Sequence, residues 1–328
     1  MPLSLRRGLV TSVLERHAGL VRLEVDGRLC IAYPRLTGPV ALSDEVVVNT
    51  QAYDLGLGSG GFDVLYVNLA RGLGLRPERG AHVMKLPYTP LQLAVTHGEE
   101  SPPAGSNRLA GLPVVCCTLH SQLVPACAGI GSAARIAYVQ LPGGALPVTL
   151  SDAVRALKAS QLVEVSVGVG ACIDGDVSCV SPASALSWAA GAGFDAVVCS
   201  IGPGIVGTAT FLGHGGLAAA EAANAAAALG GRPVLAPRVS SADGRDRHGG
   251  LSHHTMSVLE LSLGPLTVAW PAGLPVPPSL EVEVVDVSGW QEACAGLPLS
   301  SMGRGPDDDP WFFAAAFAAG KLVRGMLA

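Results

Sequence analysis

The segment from Arg238 to Thr255 holds the densest group of reactive side chains in this sequence. It reads RVSSADGRDRHGGLSHHT, in a chain of which only 14% of the residues are charged. Arginine forks suit phosphate or carboxylate groups, whereas imidazole and carboxylate groups can transfer protons. The candidate anion-binding residues in this segment are Arg238, Arg245 and Arg247. The candidate catalytic residues are Asp243, His248 and His253.

Two alternatives stay open for this segment. It could be a solvated loop whose ion pairs satisfy one another, or a metal site formed by Asp243, His248 and His253. Our leading interpretation names no metal ligand and no cofactor. The run His253–Leu261 is interpreted as a strand, which would point His253 and His254 in opposite directions, so that only one of them reaches a shared pocket.

A second candidate is the glycine-rich turn that follows the apolar run Ala196–Ser200. The turn leads into an alanine-rich stretch that ends near Leu229, so we predict a strand, a tight loop and a helix N-terminus that binds an anion. The glycine spacing alone is weak support for a dinucleotide site, and a purely structural turn is the alternative. The candidate anion-binding residues are Gly202, Gly204, Gly207, Thr208 and Thr210.

His120 lies in the motif LHSQ, directly after a predicted strand at Val114–Leu119. It is a further catalytic candidate, and the alternative is a buried histidine whose hydrogen bonds are satisfied. Lys85 and Tyr88 could complete an anion site, but we favour a role for them at the junction with the N-terminal part of the chain. The sequence lacks G-x-S-x-G, H-E-x-x-H, EF-hand and Walker A motifs, which disfavours the enzyme classes that use them.

The elements that must position these residues indicate an α/β protein. Residues 1–75 are rich in short strands, among them Leu20–Val25 and Arg28–Tyr33 joined by Asp26-Gly27, and predict a small β-barrel domain. Residues 76–328 alternate strands with helices and predict a mainly parallel sheet with helices on both faces. Because ligands bind at the carboxyl ends of such strands, we expect the polar loops to converge there.

Composition narrows the classes of partner. The formal net charge of −5 disfavours a nucleic-acid partner. The uncharged stretches Leu109–Ala134 and Ala196–Ala220 could span a bilayer in length, but proline, glycine and histidine interrupt them, so we expect no membrane partner. Eight scattered cysteines without a CxxC pair indicate reduced thiols in the cytoplasm. The barrel suits a structural or oligomerisation module, which allows a homo-oligomer.

Four motifs in this order, MKLPYTPLQ, LHSQ, GPGIVGTAT and RVSSADGRDRHGGLSHHT, resemble those of a bacterial family defined as a domain of unknown function. The resemblance supports the choice of motifs and implies no activity, cofactor or catalytic residue. From the residues themselves we expect a cytoplasmic enzyme, a hydrolase or transferase, that acts on a phosphorylated or carboxylated small molecule. The alternative is a non-catalytic sensor or scaffold whose polar loop is an oligomer or partner interface.

Overall fold

A computed structural model describes residues 3–56, 61–103 and 108–328. The chain divides into two compact units, Met1–Ala81 and His82–Ala328. The domain boundary at residue 75 stays a prediction from composition. In the described residues no helix has both the length and the apolar character needed to cross a bilayer.

The first unit is a closed barrel of five strands, as the sequence predicts. The strand order around the barrel is β1-β2-β3-β5-β4, in which β3 and β5 pair in parallel and the other neighbours are antiparallel. The elements are β1 (Leu5–His17), β2 (Leu20–Val25), β3 (Arg28–Ala32), α1 (Pro34–Thr37), β4 (Glu45–Asn49), α2 (Gln51–Asp54) and β5 (Asp63–Asn68).

Local chemistry explains the β2–β3 hairpin. Asp26 and Gly27 both have positive φ angles, 51° and 77°, which is the backbone that a two-residue hairpin turn requires. Alternate side chains of the strands, such as Leu23 and Val46, fill the barrel interior. The fully buried carboxylate of Asp63 accepts hydrogen bonds from Arg6 at 3.2 Å and from Arg28 at 3.0 Å.

The second unit is built on an eight-stranded parallel sheet, which confirms the predicted α/β class. Its order is β11-β10-β9-β12-β8-β13-β16-β17, and the short pairs β6–β7 and β14–β15 lie outside it. The strands are β6 (Val83–Lys85), β7 (Leu93–Val95), β8 (Pro113–Cys117), β9 (Ile136–Leu141), β10 (Val165–Val169), β11 (Val177–Cys179), β12 (Ala196–Ile201), β13 (Arg232–Ala236), β14 (Val239–Ser240), β15 (Gly250–Leu251), β16 (Thr267–Pro271) and β17 (Glu283–Val285).

Helices cover both faces of this sheet. Side chains of α3, α4, α8 and α9 share one apolar core with one face, and those of α5, α6 and α7 share a second core with the other. The central strands are therefore buried on both sides, and their residues are mostly apolar without alternation; Gln140 and Ser200 are buried polar exceptions. The helices are α3 (Leu123–Ile130), α4 (Asp152–Ala159), α5 (Pro182–Gly191), α6 (Ala218–Ala228), α7 (His253–Glu260), α8 (Trp290–Ala293) and α9 (Pro310–Leu327).

Candidate functional site

The polar loops that follow β8, β12 and β13 lie at the same edge of the sheet, beyond the carboxyl ends of three adjacent strands. His120, after β8, bonds through Nδ1 to the carbonyl oxygen of Ile201, the last residue of β12, at 3.1 Å. Gln122 donates from Nε2 to the carbonyl oxygens of Ala236 and Pro237, at the end of β13. Main-chain carbonyls at the strand ends thus fix the loops against one another.

The glycine turn packs against the loop after β9. A side chain at Gly202 would collide with the carbonyl oxygen of Ala145, so glycine is required there by backbone-to-backbone packing. The amides of Val206 and Thr208 donate to carbonyls at 2.9 and 2.7 Å, and the Thr210 amide has Thr208 Oγ1 3.3 Å away. These three amides are therefore already hydrogen-bonded within the two loops.

The helix predicted to begin directly after Thr210 is wrong, because α6 begins only at Ala218. Between them the chain folds back on itself, and Gly207 pairs with His214 in an antiparallel bridge. The anion-binding role of Gly202, Gly204, Gly207, Thr208 and Thr210 stays a prediction. The clear structural effect of this hairpin is that it brings His214, a buried side chain, into the site.

The strand predicted over His253–Leu261 is also wrong. Residues His253–Glu260 form helix α7, and Ser252 caps it by accepting a hydrogen bond from the His254 amide. Antiparallel pairing of β14 with β15 holds the two ends of the segment before the helix together. In the first turn of a helix, successive side chains lie about 100° apart rather than on opposite faces. His253 and His254 therefore both reach the same site.

Asp243 is the centre of the charged part of the site. Its side chain is only 2% exposed and accepts hydrogen bonds from Arg238 at 3.1 Å, Arg245 at 2.7 Å and Arg304 at 3.3 Å. Arg245 also donates from Nε to the second carboxylate oxygen at 2.8 Å, which makes this pair bidentate. Arg304 further lies 3.5 Å from the buried carboxylate of Asp309. Three guanidinium groups thus face two carboxylates.

The charges of this group are strongly coupled. Hydrogen bonds from Arg245 hold the pKa of Asp243 well below its ordinary value. Burial lowers the pKa of Arg238 to about 10, and Asp243 opposes this change. Asp243 and Arg238 are therefore both ionised at neutral pH.

Four histidines stack beside the arginines. The rings of His214 and His254 are parallel with centroids 3.9 Å apart, and those of His248 and His253 are stacked at 4.8 Å. His253 meets His254 edge-on at 4.5 Å and His214 at 5.3 Å. One ring nitrogen from each of His214, His253 and His254 lies within 4.8 Å of the others.

Burial keeps three of these imidazoles neutral. Desolvation, reinforced by the positive charge of Arg238, lowers the pKa of His248 to about 3 and that of His254 to about 2. The pKa of His214 falls to about 4, again mainly by desolvation, with a smaller opposing effect from the Phe211 backbone. Neutral imidazoles can accept a proton or bind a metal ion.

The hydrogen bonds indicate which ring nitrogen carries the proton. His253 Nδ1 lies 3.2 Å from the carbonyl oxygen of Arg247, so it donates and leaves Nε2 as a lone pair. Ser257 gives its hydroxyl proton to the carbonyl of His254 and therefore accepts from His214 Nε2 at 2.8 Å. This leaves the lone pair of His214 on Nδ1. Both lone-pair nitrogens are buried and have no hydrogen-bond partner in the described part of the chain.

With this geometry established, comparisons with known proteins place the chain in a family. The family model described as "Protein of unknown function (DUF3866)" matches residues 29–320. The chain belongs to the DUF3866 family. No curated protein and no solved structure matches it.

In this DUF3866 protein the predicted site residues fall into separate groups. Arg238, Asp243, Arg245, His248 and His253 form one cluster. His120 lies in another network, where its Nε2 is 2.7 Å from Ser151 Oγ, so both ring nitrogens are occupied. Burial lowers the pKa of His120 to about 4, and the hydrogen bond with Ile201 opposes this change. The exposed Arg247 contributes its carbonyl to His253.

Sequence reasoning missed three members of this cluster of arginines, Asp243 and histidines. His214 follows the glycine turn and carried no motif; its only signal was a histidine in an uncharged loop after a central strand. His254 was set aside because the segment was interpreted as a strand. Arg304 lies far along the chain in the run SSMGRGPDDD, where the following aspartates indicate a local ion pair but nothing indicates Asp243 as a second partner.

Proposed function

We propose that this chain is an enzyme that binds a small phosphorylated or carboxylated molecule at the arginines around Asp243. The observation that carries the proposal is the excess of positive charge there, since three guanidinium groups face two carboxylates. The Nε donor of Arg238 is moreover buried without a hydrogen-bond partner in the described residues. Guanidinium groups left with free donors are typical of sites that bind phosphate or carboxylate.

Arg245 and Arg304 are the residues that would contact the ligand. Their side chains are 40% and 21% exposed, whereas Arg238 is 2% exposed and donates to both Asp243 and His254. Arg245 engages Asp243 through Nε and Nη2, which leaves its Nη1 donors for an anion. Arg238 would act by holding Asp243 in place.

Proton transfer in this proposal falls to an imidazole of the cluster. Asp243 is a poor base because the arginines stabilise its ionised form, and both nitrogens of His120 are occupied. His248, which burial keeps neutral, and His253 remain as neighbours of the charged group. Hydrolase or transferase chemistry on the bound anion is the reaction class that this set of groups suits.

Calorimetric titration of the full chain with inorganic phosphate tests the binding step. We expect the R245Q and R304Q variants to weaken phosphate binding by about tenfold or more each, because a hydrogen bond to a charged group contributes about 1.5–3 kcal/mol. R247Q removes one exposed positive charge from the same loop and is the control, with a smaller effect. Absence of phosphate binding by the wild type, or equal affinity in all three variants, would refute the proposal.

The second candidate function is a non-catalytic partner or oligomer interface. It is supported by the hairpin beside the histidines, where Val206, Phe211 and Leu212 are exposed apolar side chains. Size-exclusion chromatography with light scattering separates the two functions. An interface predicts that F211S changes the molecular mass of the particle and that phosphate does not bind. The enzyme proposal predicts that F211S leaves the mass unchanged and that phosphate binds.

The cytoplasm is the compartment that we propose for this activity. All eight cysteines are buried free thiols, which is the state maintained in a reducing compartment. Thiol titration of the unfolded protein, purified under an inert atmosphere, should find eight reactive groups, and a smaller number would argue for an oxidising compartment.

A further inference from the structure

We infer that the histidine cluster is a binding site for one divalent transition-metal ion of the zinc class. The ligands would be Nδ1 of His214, Nε2 of His253 and Nε2 of His254. This site adjoins the arginines but does not depend on the proposed function, because an anion can bind the guanidinium groups with or without a metal. The inference rests on where the lone pairs of these rings point.

His253 has the arrangement of a preformed metal ligand. Its Nδ1–H donates to the carbonyl of Arg247 at 3.2 Å, which orients the ring and directs the lone pair to Nε2. Metal-bound histidines commonly use the second ring nitrogen in this way, with a backbone carbonyl or carboxylate as the acceptor. The Nε2 atom is buried and has no other partner among the described residues.

His214 is oriented by a comparable chain of hydrogen bonds from the opposite side. Ser257 is buried and accepts from Nε2–H, since its own proton is directed to the carbonyl of His254. The Nδ1 lone pair is then left in the interior, where an unpaired polar atom is costly. A cation shared with His253 would satisfy both nitrogens at once.

His254 supplies the third nitrogen, with a difference. Its Nδ1 accepts from Arg238 at 3.0 Å, so in the neutral ring Nε2 carries the proton. Metal binding at Nε2 requires this proton to move to Nδ1, which breaks the hydrogen bond from Arg238. We therefore expect His254 to be the weakest of the three ligands. One ring nitrogen of each of the three histidines already lies within 4.8 Å of the others, and zinc–nitrogen bonds of about 2.0–2.1 Å need only a small closing movement of the rings.

The ligand type selects the kind of metal. Imidazole nitrogens favour zinc and its transition-metal neighbours, whereas magnesium and calcium prefer oxygen ligands. The nearest carboxylate, Asp243, is already engaged by three arginines. Three protein ligands leave a fourth position open, which is the arrangement of catalytic rather than structural zinc sites. With His253 bound to metal, His248 is the imidazole left for proton transfer.

The test is calorimetric titration of the full chain, freed of metal by a chelator, with zinc and cobalt chlorides. We expect one ion per chain for the wild type. Affinity should fall more than about 100-fold in H214Q and in H253Q, beyond the range found for residues that only orient a ligand, and less in H254Q. H97Q is the matched control, because His97 is also buried with an unpartnered Nδ1 but belongs to no such group among the described residues.

Two outcomes would overturn the inference: no stoichiometric ion in the wild type, or unchanged affinity in folded H214Q and H253Q. If those variants do not fold, NMR of wild-type protein carrying ¹⁵N-labelled histidine decides the matter. Zinc should then shift the ring nitrogens of three histidines, and a spectrum left unchanged would refute the site. Phosphate titration of the metal-free protein is scored separately, so that loss of either site is distinguishable from loss of the other.

Discussion

Replacement of Asp243 by asparagine tests whether a buried carboxylate holds the arginines together. The substitution keeps the shape of the side chain and removes the charge that three guanidinium groups share. The loss of this charge destabilises the ionised Arg238 most, because its side chain is 2% exposed and solvent cannot replace the carboxylate. Breaking a buried ion pair from one side costs about 3–5 kcal/mol. Arg245 and Arg304 are more exposed, and solvent screening limits their added share to about 1 kcal/mol or less each.

We therefore expect D243N to lower the free energy of unfolding by about 3–7 kcal/mol, and the melting temperature by about 2–4 °C for each kcal/mol in a unit of this size. Urea denaturation followed by circular dichroism at pH 7 measures the loss. D246N is the matched control, since Asp246 is exposed and three residues away. A D243N value within about 0.5 kcal/mol of the control would refute the reasoning, because that is the usual range for surface substitutions.

The same variant gives a signed pH dependence. Because the folded-state pKa of Asp243 is depressed, its stabilisation is fully present above the ordinary aspartate pKa of 3.8 and is lost as the pH falls below that value. The difference between wild type and D243N should therefore shrink in acid. Phosphate should also restore part of the stability of D243N at pH 7, because the uncompensated guanidinium groups gain an anion.

Two further predictions concern packing and the second histidine network. G320A should destabilise the protein strongly, because a Cβ at this position would collide with the carbonyl of Ala126 on the facing helix. In the same helix, a Cβ at Gly325 would meet no other atom, so G325A should be neutral or slightly stabilising. Thermal unfolding of both variants tests this difference. Burial lowers the folded-state pKa of His120 from 6.5 to about 4, so the free energy of unfolding should fall as the pH drops from 6.5 towards 4. H120Q should reduce the slope of this free energy against pH by up to about 1.4 kcal/mol per pH unit. An unchanged slope in urea denaturation at several pH values would contradict the assignment.

The fold was predictable where local chemistry decides the backbone. Asp26-Gly27 indicated the hairpin. Ser181 followed by Pro182 is a typical helix start, and Ser181 caps α5 in the structure. Apolar runs separated by helical stretches indicated the parallel sheet. These signals are contained within a few residues, so a single sequence carries them in full.

The errors arose where two patterns fit the same residues. In His253–Leu261 the apolar residues Met256 and Val258 alternate as in a strand, while Thr255, Val258 and Leu259 have helical spacing. The structure forms the helix, with a cap at Ser252 and with Thr255 and Val258 buried. This one change of element brought His254 into the site from which alternation had excluded it.

Lys85 shows the other limit, a role set by residues far along the chain. Its ammonium group is buried and donates to the carbonyl oxygens of Gly168, Gly170 and Cys172 at 2.5–3.0 Å. Carbonyls carry no side-chain signature, so no motif could have indicated these partners. The charge of Lys85 is therefore engaged far from the arginines in sequence, and the proposed anion site does not need it.

The histidine cluster depends both on an ambiguous local pattern, at His254, and on residues far apart in the chain. The order of the strands determines which histidines it contains. β12 and β13 flank β8 in the sheet, so the loops after them emerge on either side of one strand. Each loop contributes histidines, His214 from the first and His248, His253 and His254 from the second. Neither loop alone holds both of the buried, unpaired ring nitrogens, His214 Nδ1 and His253 Nε2, that define the inferred metal site. A variant that moves the β12 loop, such as G207V beside His214, should therefore weaken zinc binding without touching any ligand, and retained affinity would show that the second loop alone suffices.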